Sequence, residues 1–129
     1  MAYRVVRAEE HEWAERPTEG QAPRRVADLT GPAALSESRA RLWRLPANTR
    51  GRRHKELVQE EVFVVLEGTL TVLLDDPPER HDLPPRSVVS VPAGTGLQMR
   101  NESDTEVVVF VYGAPPVRGQ AEYLDDVEL

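Results

Sequence analysis

Residues 61–74 read EVFVVLEGTLTVLL. Two β-branched, apolar runs, Glu61–Glu67 and Thr69–Leu74, are separated by the single glycine Gly68. The stretch therefore predicts two strands about a tight bend, a hairpin pivoting on Gly68, and not a helix. The same rhythm continues downstream. Asp75–Pro78 reads as a turn, Glu79–Leu83 as a mostly polar strand, Pro84-Pro85 as a turn and Ser87–Val91 as a strand. Pro92–Gly96 is then a turn, and Leu97–Asn101 and Glu106–Tyr112 (EVVVFVY) are two more strands. Strands spaced roughly 8–12 residues apart, with Pro, Gly and Asp between them, predict an all-β antiparallel sandwich or barrel. Both faces of EVFVVLE and EVVVFVY are apolar, whereas an ordinary antiparallel strand wets one side. Something must cover the second face, either the N-terminal strands or another subunit, and the expectation is a homodimer.

Upstream of residue 61 the elements are shorter. Tyr3–Arg7 reads as a strand that is free to cross to a partner, and Ala8–Glu15 as one or two helical turns ending before Pro17. Arg25–Leu29 is a second short strand, Gly31–Leu35 a brief helical or 3₁₀ turn, and Ser38–Leu45 a strand of alternating character. At 129 residues the chain holds one domain. Its zones are 1–37 (N-terminal strands and turns), 38–115 (the barrel core) and 116–129 (an acidic tail, loosely held from Glu122 onward).

Composition narrows the function. There is no cysteine, which removes disulfides, thiolate zinc sites and cysteine nucleophiles together. A net charge of −6 disfavours nucleic acid or an anionic membrane as partner. No apolar run approaches the roughly 20 residues that span a bilayer. The opening MAYRVVRAEEHEW lacks the apolar stretch of a signal peptide, so the expected location is cytoplasmic. One basic cluster, Arg50-Gly51-Arg52-Arg53-His54-Lys55, runs against the overall sign. The serines have no nucleophile elbow around them.

The stretch from His54 to Asn101 resembles the two sequence motifs of the cupin superfamily. The first has the form H-x-H, three or four residues, E, six residues, G; here His54-Lys55-Glu56 is followed after four residues by Glu61, and after six more by Gly68. The second has the form G, five residues, P-x-G-x-x-H-x-x-x-N. Here Arg86 stands in the glycine place and Pro92-Ala93-Gly94-Thr95-Gly96-Leu97-Gln98-Met99-Arg100-Asn101 keeps every spacing. The resemblance implies a cupin-like antiparallel β-barrel, the double-stranded β-helix or jelly roll. In metal-binding members, two histidines and a glutamate of the first motif join one histidine of the second around a divalent ion. His54 and Glu61 fall on two of these places, Glu56 replaces the second histidine, and Leu97 replaces the third. The implied metal set is His54, Glu56 and Glu61, for Zn, Mn, Fe or Ni, incomplete because Leu97 cannot ligate.

If the barrel forms, strand alternation turns His54 and Glu56 to one face, Glu61, Phe63 and Val65 to another, and Leu97 and Met99 to a third. The expected pocket comprises His54, Glu56, Glu61, Phe63, Leu97 and Met99, with Trp43 as a further wall candidate. Arg41 is the candidate cation between two carboxylates that would otherwise repel. Arg50, Arg52 and Arg53 are expected to ring the mouth, where they attract a carboxylate or phosphate. Equally, Phe63, Val65, Leu97 and Met99 read as plain core packing. His11 and His81 lie in polar surroundings and are read as surface residues. Two functions stay open: a cytoplasmic small-molecule-binding cupin that holds a polar or anionic metabolite without chemistry, and a metal-dependent isomerase or dioxygenase with a reduced ligand set.

Overall fold

Two antiparallel sheets lie face to face in the computed structural model, which describes residues 2–117 and 120–129. The strands are β1 (Trp13–Arg16), β2 (Arg24–Asp28), β3 (Arg39–Leu45), β4 (Thr49–Arg50), β5 (His54–Glu56), β6 (Glu60–Glu67), β7 (Leu70–Leu74), β8 (Glu79–Leu83), β9 (Val88–Val91), β10 (Leu97–Asn101), β11 (Val107–Ala114) and β12 (Ala121–Tyr123). One sheet runs β1-β2-β3-β11-β6-β9; the other runs β12-β5-β10-β7-β8, with β4 also pairing on β10. No described helix is long and apolar enough to cross a membrane. This is the all-β antiparallel sandwich that the strand rhythm predicts, in the jelly-roll form that the resemblance implies, although the two sheets are not joined into one closed ladder.

The core follows from the period of two. Leu45, Phe63, Val65, Val107, Val109 and Val111 point inward from the first sheet and meet Leu70, Leu97 and Met99 of the second. Each such side chain contributes about 1.5–3 kcal/mol by leaving water. The opposite face of β6 and β11 is only partly covered: Val62 and Val64 are half-buried, and Leu66, Tyr112 and the neighbouring Val88 are exposed.

Four expectations need correction. Residues 61–74 are not a hairpin, because β6 and β7 belong to different sheets and Gly68 marks the corner between them. Gly68 has φ +74°, and a Cβ there would come within 2.7 Å of the Glu106 carbonyl oxygen, so the corner requires glycine. Tyr3–Arg7 is not a strand; Tyr3 and Val5 are exposed and the segment pairs with nothing among the described residues. Ala8–Glu15 is not helical beyond a 3₁₀ turn at Ala8–Glu10, because Trp13–Arg16 pairs along β2 instead. The acidic tail, finally, is firmly held. Its β12 pairs with β5, and the buried Arg100 donates to the carbonyl oxygens of Val127 (2.7 Å) and Leu129 (3.0 Å). The reason lies in β10, all five of whose residues are buried: Leu97 and Met99 face the core, while Gln98 and Arg100 face outward under the tail.

Candidate functional site

Between the sheets lies a cavity of about 310 Å³. Three strands, β5 of one sheet with β6 and β3 of the other, supply its polar groups. His54 and Glu56 alternate on β5 with Lys55, which turns away to Glu122. The turn Pro92–Gly96 fixes that strand, since the Gly94 amide donates to the Glu56 carbonyl at 2.7 Å. Glu61 enters from β6. Arg39, Arg41 and Trp43 come from β3, alternate positions of one strand face. Phe63, Leu97, Met99 and Val111 form the apolar wall, and Leu97 is paired directly opposite His54.

The charges are coupled. His54 Nδ1–H donates to the Arg52 carbonyl at 2.9 Å, which leaves Nε2 directed at Glu56, 3.2 Å away. Burial by itself would lower the His54 pKa, but the hydrogen bonds to Glu56 and to the Arg52 carbonyl, with the Glu56 and Glu61 charges, outweigh it and raise the value. The hydrogen bond from His54 draws Glu56 below the usual carboxylate range, against the opposing effect of burial. Burial pushes Glu61 up; Arg41 opposes the rise without cancelling it, and the nearby Glu56 charge adds to it. Arg41 Nη2 donates to Glu61 Oε2 at 3.0 Å, while Glu61 Oε1 is buried without a hydrogen-bond partner.

These directions give a pH prediction. The raised His54 value makes the pair's contribution to stability complete below the ordinary histidine range and progressively lost as pH rises through the folded value. The lowered Glu56 value removes the contribution again in strong acid. The melting-temperature difference between the wild type and His54→Gln should therefore be greatest between about pH 5 and 6 and shrink towards pH 9. A difference flat across that range would mean that no ion pair forms.

The structure brings His54, Glu56, Glu61, Phe63, Leu97, Met99, Trp43 and Arg41 to the wall of this one cavity. Val65 packs in the core and does not line it. Of the three arginines expected at the mouth, only Arg52 lines the cavity. Arg50 is bound to Asp126 at 2.9 Å, and the buried Arg53 to Asp76 at 3.1 Å and to the Asp125 carbonyl, so they hold the acidic tail and a turn. His81 is half-buried on β8, and His11 sits edge-on to Trp13. Sequence reasoning passed over Arg24, Arg39, Ala121 and Tyr123. Arg39 was there to be found, two residues before Arg41 on the same strand face. Tyr123 reaches the cavity only because the tail pairs with β5, and no local signal announces that.

A family model described as Cupin domain matches residues 41–113, more than half the sequence. The chain belongs to the cupin family. Among solved structures, this cupin is similar to a sugar phosphate isomerase of the cupin superfamily from Silicibacter pomeroyi, with 25% identity over 95% of this chain and 82% of the other, TM-score 0.78. It also resembles the polyketide cyclase RemF from Streptomyces resistomycificus, at 16% identity over 98% and 89% of the two chains, TM-score 0.82. KdgF from Halomonas sp. is similar at 15% identity over 88% and 95%, TM-score 0.67. A search of the curated proteins gave no match. The last two likenesses speak for the fold. In the family's terms, Glu56 stands at the second histidine place of the first motif, and Leu97 at the histidine place of the second. Asn101, the last residue of that motif, is structural: fully buried, it donates to the Leu45, Pro46 and Thr105 carbonyls.

Proposed function

We propose that this cupin binds a small anionic metabolite inside the barrel, without a resident metal ion and without chemistry of its own. One observation carries the reading: among the described residues four guanidiniums, those of Arg24, Arg39, Arg41 and Arg52, line the cavity beside two carboxylates, Glu56 and Glu61. Beside them stand two aromatic rings, Trp43 and Tyr123, a suitable lining for a flat organic body with an acidic group. The half-covered outer face of Val62, Val64, Leu66, Val88 and Tyr112 supports a homodimer paired through that face.

A divalent metal is the fold family's other use for this place. The ligand atoms of His54, Glu56 and Glu61 lie within 4.8 Å of one another, and the His54 Nδ1–H bond to a carbonyl is the tether a ligating imidazole uses. That observation supports the second reading, a metal-dependent isomerase or dioxygenase type. The donor set nevertheless fits a resident dication poorly. Glu61 is already engaged by Arg41, a hydrocarbon stands opposite His54, and a dication would enter a wall rich in guanidinium charge.

The test titrates protein treated with a chelator against small organic phosphates and carboxylates, following tryptophan fluorescence. Saturable binding is expected, with the signal lost in Trp43→Phe and kept in Trp13→Phe. Absence of saturation with every anion would remove the binding reading. Stoichiometric metal retained through purification would move the enzyme reading ahead.

A further inference from the structure

We propose that Arg24 and Arg52 form a clamp for a phosphate group, so that the ligand lies across two chambers with its phosphate at their junction and its organic part in the barrel. The proposal rests on the anion-binding reading above and specifies which anion is bound and where it sits. A second cavity of about 530 Å³ adjoins the first, and Arg24, Gly51 and Arg52 line both. Gly51 is fastened at this boundary: its amide donates to the Met99 carbonyl at 2.8 Å, and its carbonyl accepts from Gln98 Nε2 at 2.9 Å. Arg24 Nη1 lies so close that a Cβ at position 51 would stand 3.2 Å from it. The Arg24 guanidinium is thus placed beside the backbone that carries Arg52.

Both side chains are held by aromatic faces and not by acids. Arg24 lies over the Trp43 ring at 5.2 Å, and Arg52 over the Tyr123 ring at 3.7 Å. Among the described residues neither guanidinium has a carboxylate partner, and Arg24 Nε is buried without a hydrogen bond. Burial and the neighbouring Arg16 charge both weigh against the charged form of Arg24, so an incoming anion relieves a cost already present. The rest of the basic cluster is committed elsewhere: Arg50 to Asp126, Arg53 to Asp76. Asp126 also lines the outer chamber, but Arg50 and Gln98 bind its carboxylate, and the exposed Asp125 is screened by water. One guanidinium satisfies a carboxylate through two parallel bonds; two guanidiniums that border one junction suit a dianion with three acceptor oxygens.

The experiment measures calorimetric affinities for glycerol phosphate, glycerate and glycerol, which share a carbon chain and differ in the terminal group. Glycerol phosphate should bind at least about tenfold more tightly than glycerate, and glycerol not at all, because the phosphate makes a further charge-assisted bond that a single carboxylate does not. Arg24→Gln and Arg52→Gln should each weaken glycerol phosphate by about tenfold or more, with the Lys variants intermediate, since they keep the charge and lose the fork. Arg44→Gln, on the outer face beside Glu106, is the control and should bind as wild type. Circular dichroism of each variant confirms that the sheets remain. Equal affinity for phosphate and carboxylate, or full affinity in both Gln variants, would overturn the clamp and leave the barrel reading standing. If neither anion binds to the wild type, both fall together.

Discussion

Leu97→His is expected to convert a weak cation site into a firm one. Wild-type protein should bind zinc or manganese weakly, and the variant should gain at least about 100-fold, because removing even an outer-sphere partner of a metal site changes affinity by roughly 10–100-fold and a direct ligand should count for no less. The geometry is favourable. Position 97 pairs with His54 across β5 and β10, its side chain lines the cavity, and the atoms of His54, Glu56 and Glu61 already converge within 4.8 Å. What opposes the metal is charge, chiefly Arg41 bound to Glu61. Combining Leu97→His with Arg41→Met should therefore raise affinity further than Leu97→His alone. Calorimetric titration of metal-free protein reads both effects. Burial of the new imidazole costs some stability, so the melting temperature of the variant is measured alongside. No gain in affinity in a folded Leu97→His protein would mean that the first-motif side chains do not act as a ligand set.

Much of the cavity was legible because it depends on alternation alone. His54 with Glu56, Leu97 with Met99 and Arg41 with Trp43 are each two apart on a strand, and a strand leaves no choice about their common face. Even the cation beside the buried carboxylate follows from the strand preceding the first motif, and Arg41 lies 3.0 Å from Glu61. The reading failed where the deciding contact is remote in sequence. Gly68 was correctly seen as a bend, but whether it closes a hairpin or turns a corner between sheets depends on the Glu106–Val107 backbone at the start of β11, which crowds it. Arg86 occupies the glycine place of the second motif and still adopts φ +75°, a conformation that its composition gives no hint of. The basic cluster was read as one group, whereas its members divide between the cavity and the tail according to which acids fold back upon them. Arg24 became a site residue only because β2 pairs with β3 and brings it beside Trp43.

The tail shows most clearly how a remote contact overrides local composition, and Arg100→Met should unfasten it. Arg100 is 1% exposed, yet its guanidinium meets Gln98 Oε1 at 2.9 Å, Glu102, and the Val127 and Leu129 carbonyls. Methionine keeps much of the stem's volume and removes every donor. Breaking one side of a buried charged network is worth about 3–5 kcal/mol where the partners stay buried. Here the carbonyls can return to water as the tail lifts, so the lower end, about 3 kcal/mol, is expected, or roughly 10 °C in melting temperature for a domain of this size. The structural consequence is more specific than the loss of stability. Asp126 and Leu124 should separate from Gln98 and Arg53, and backbone amides of residues 121–127 should exchange with solvent faster while β6 and β11 keep their protection. Because Tyr123 pairs with His54 and carries Arg52 on its ring, the same change should weaken anion binding without touching a residue of the cavity wall. Hydrogen exchange uniform across both sheets would show instead that Arg100 supports the whole fold, and unchanged exchange in the tail would show that its other tethers hold it alone.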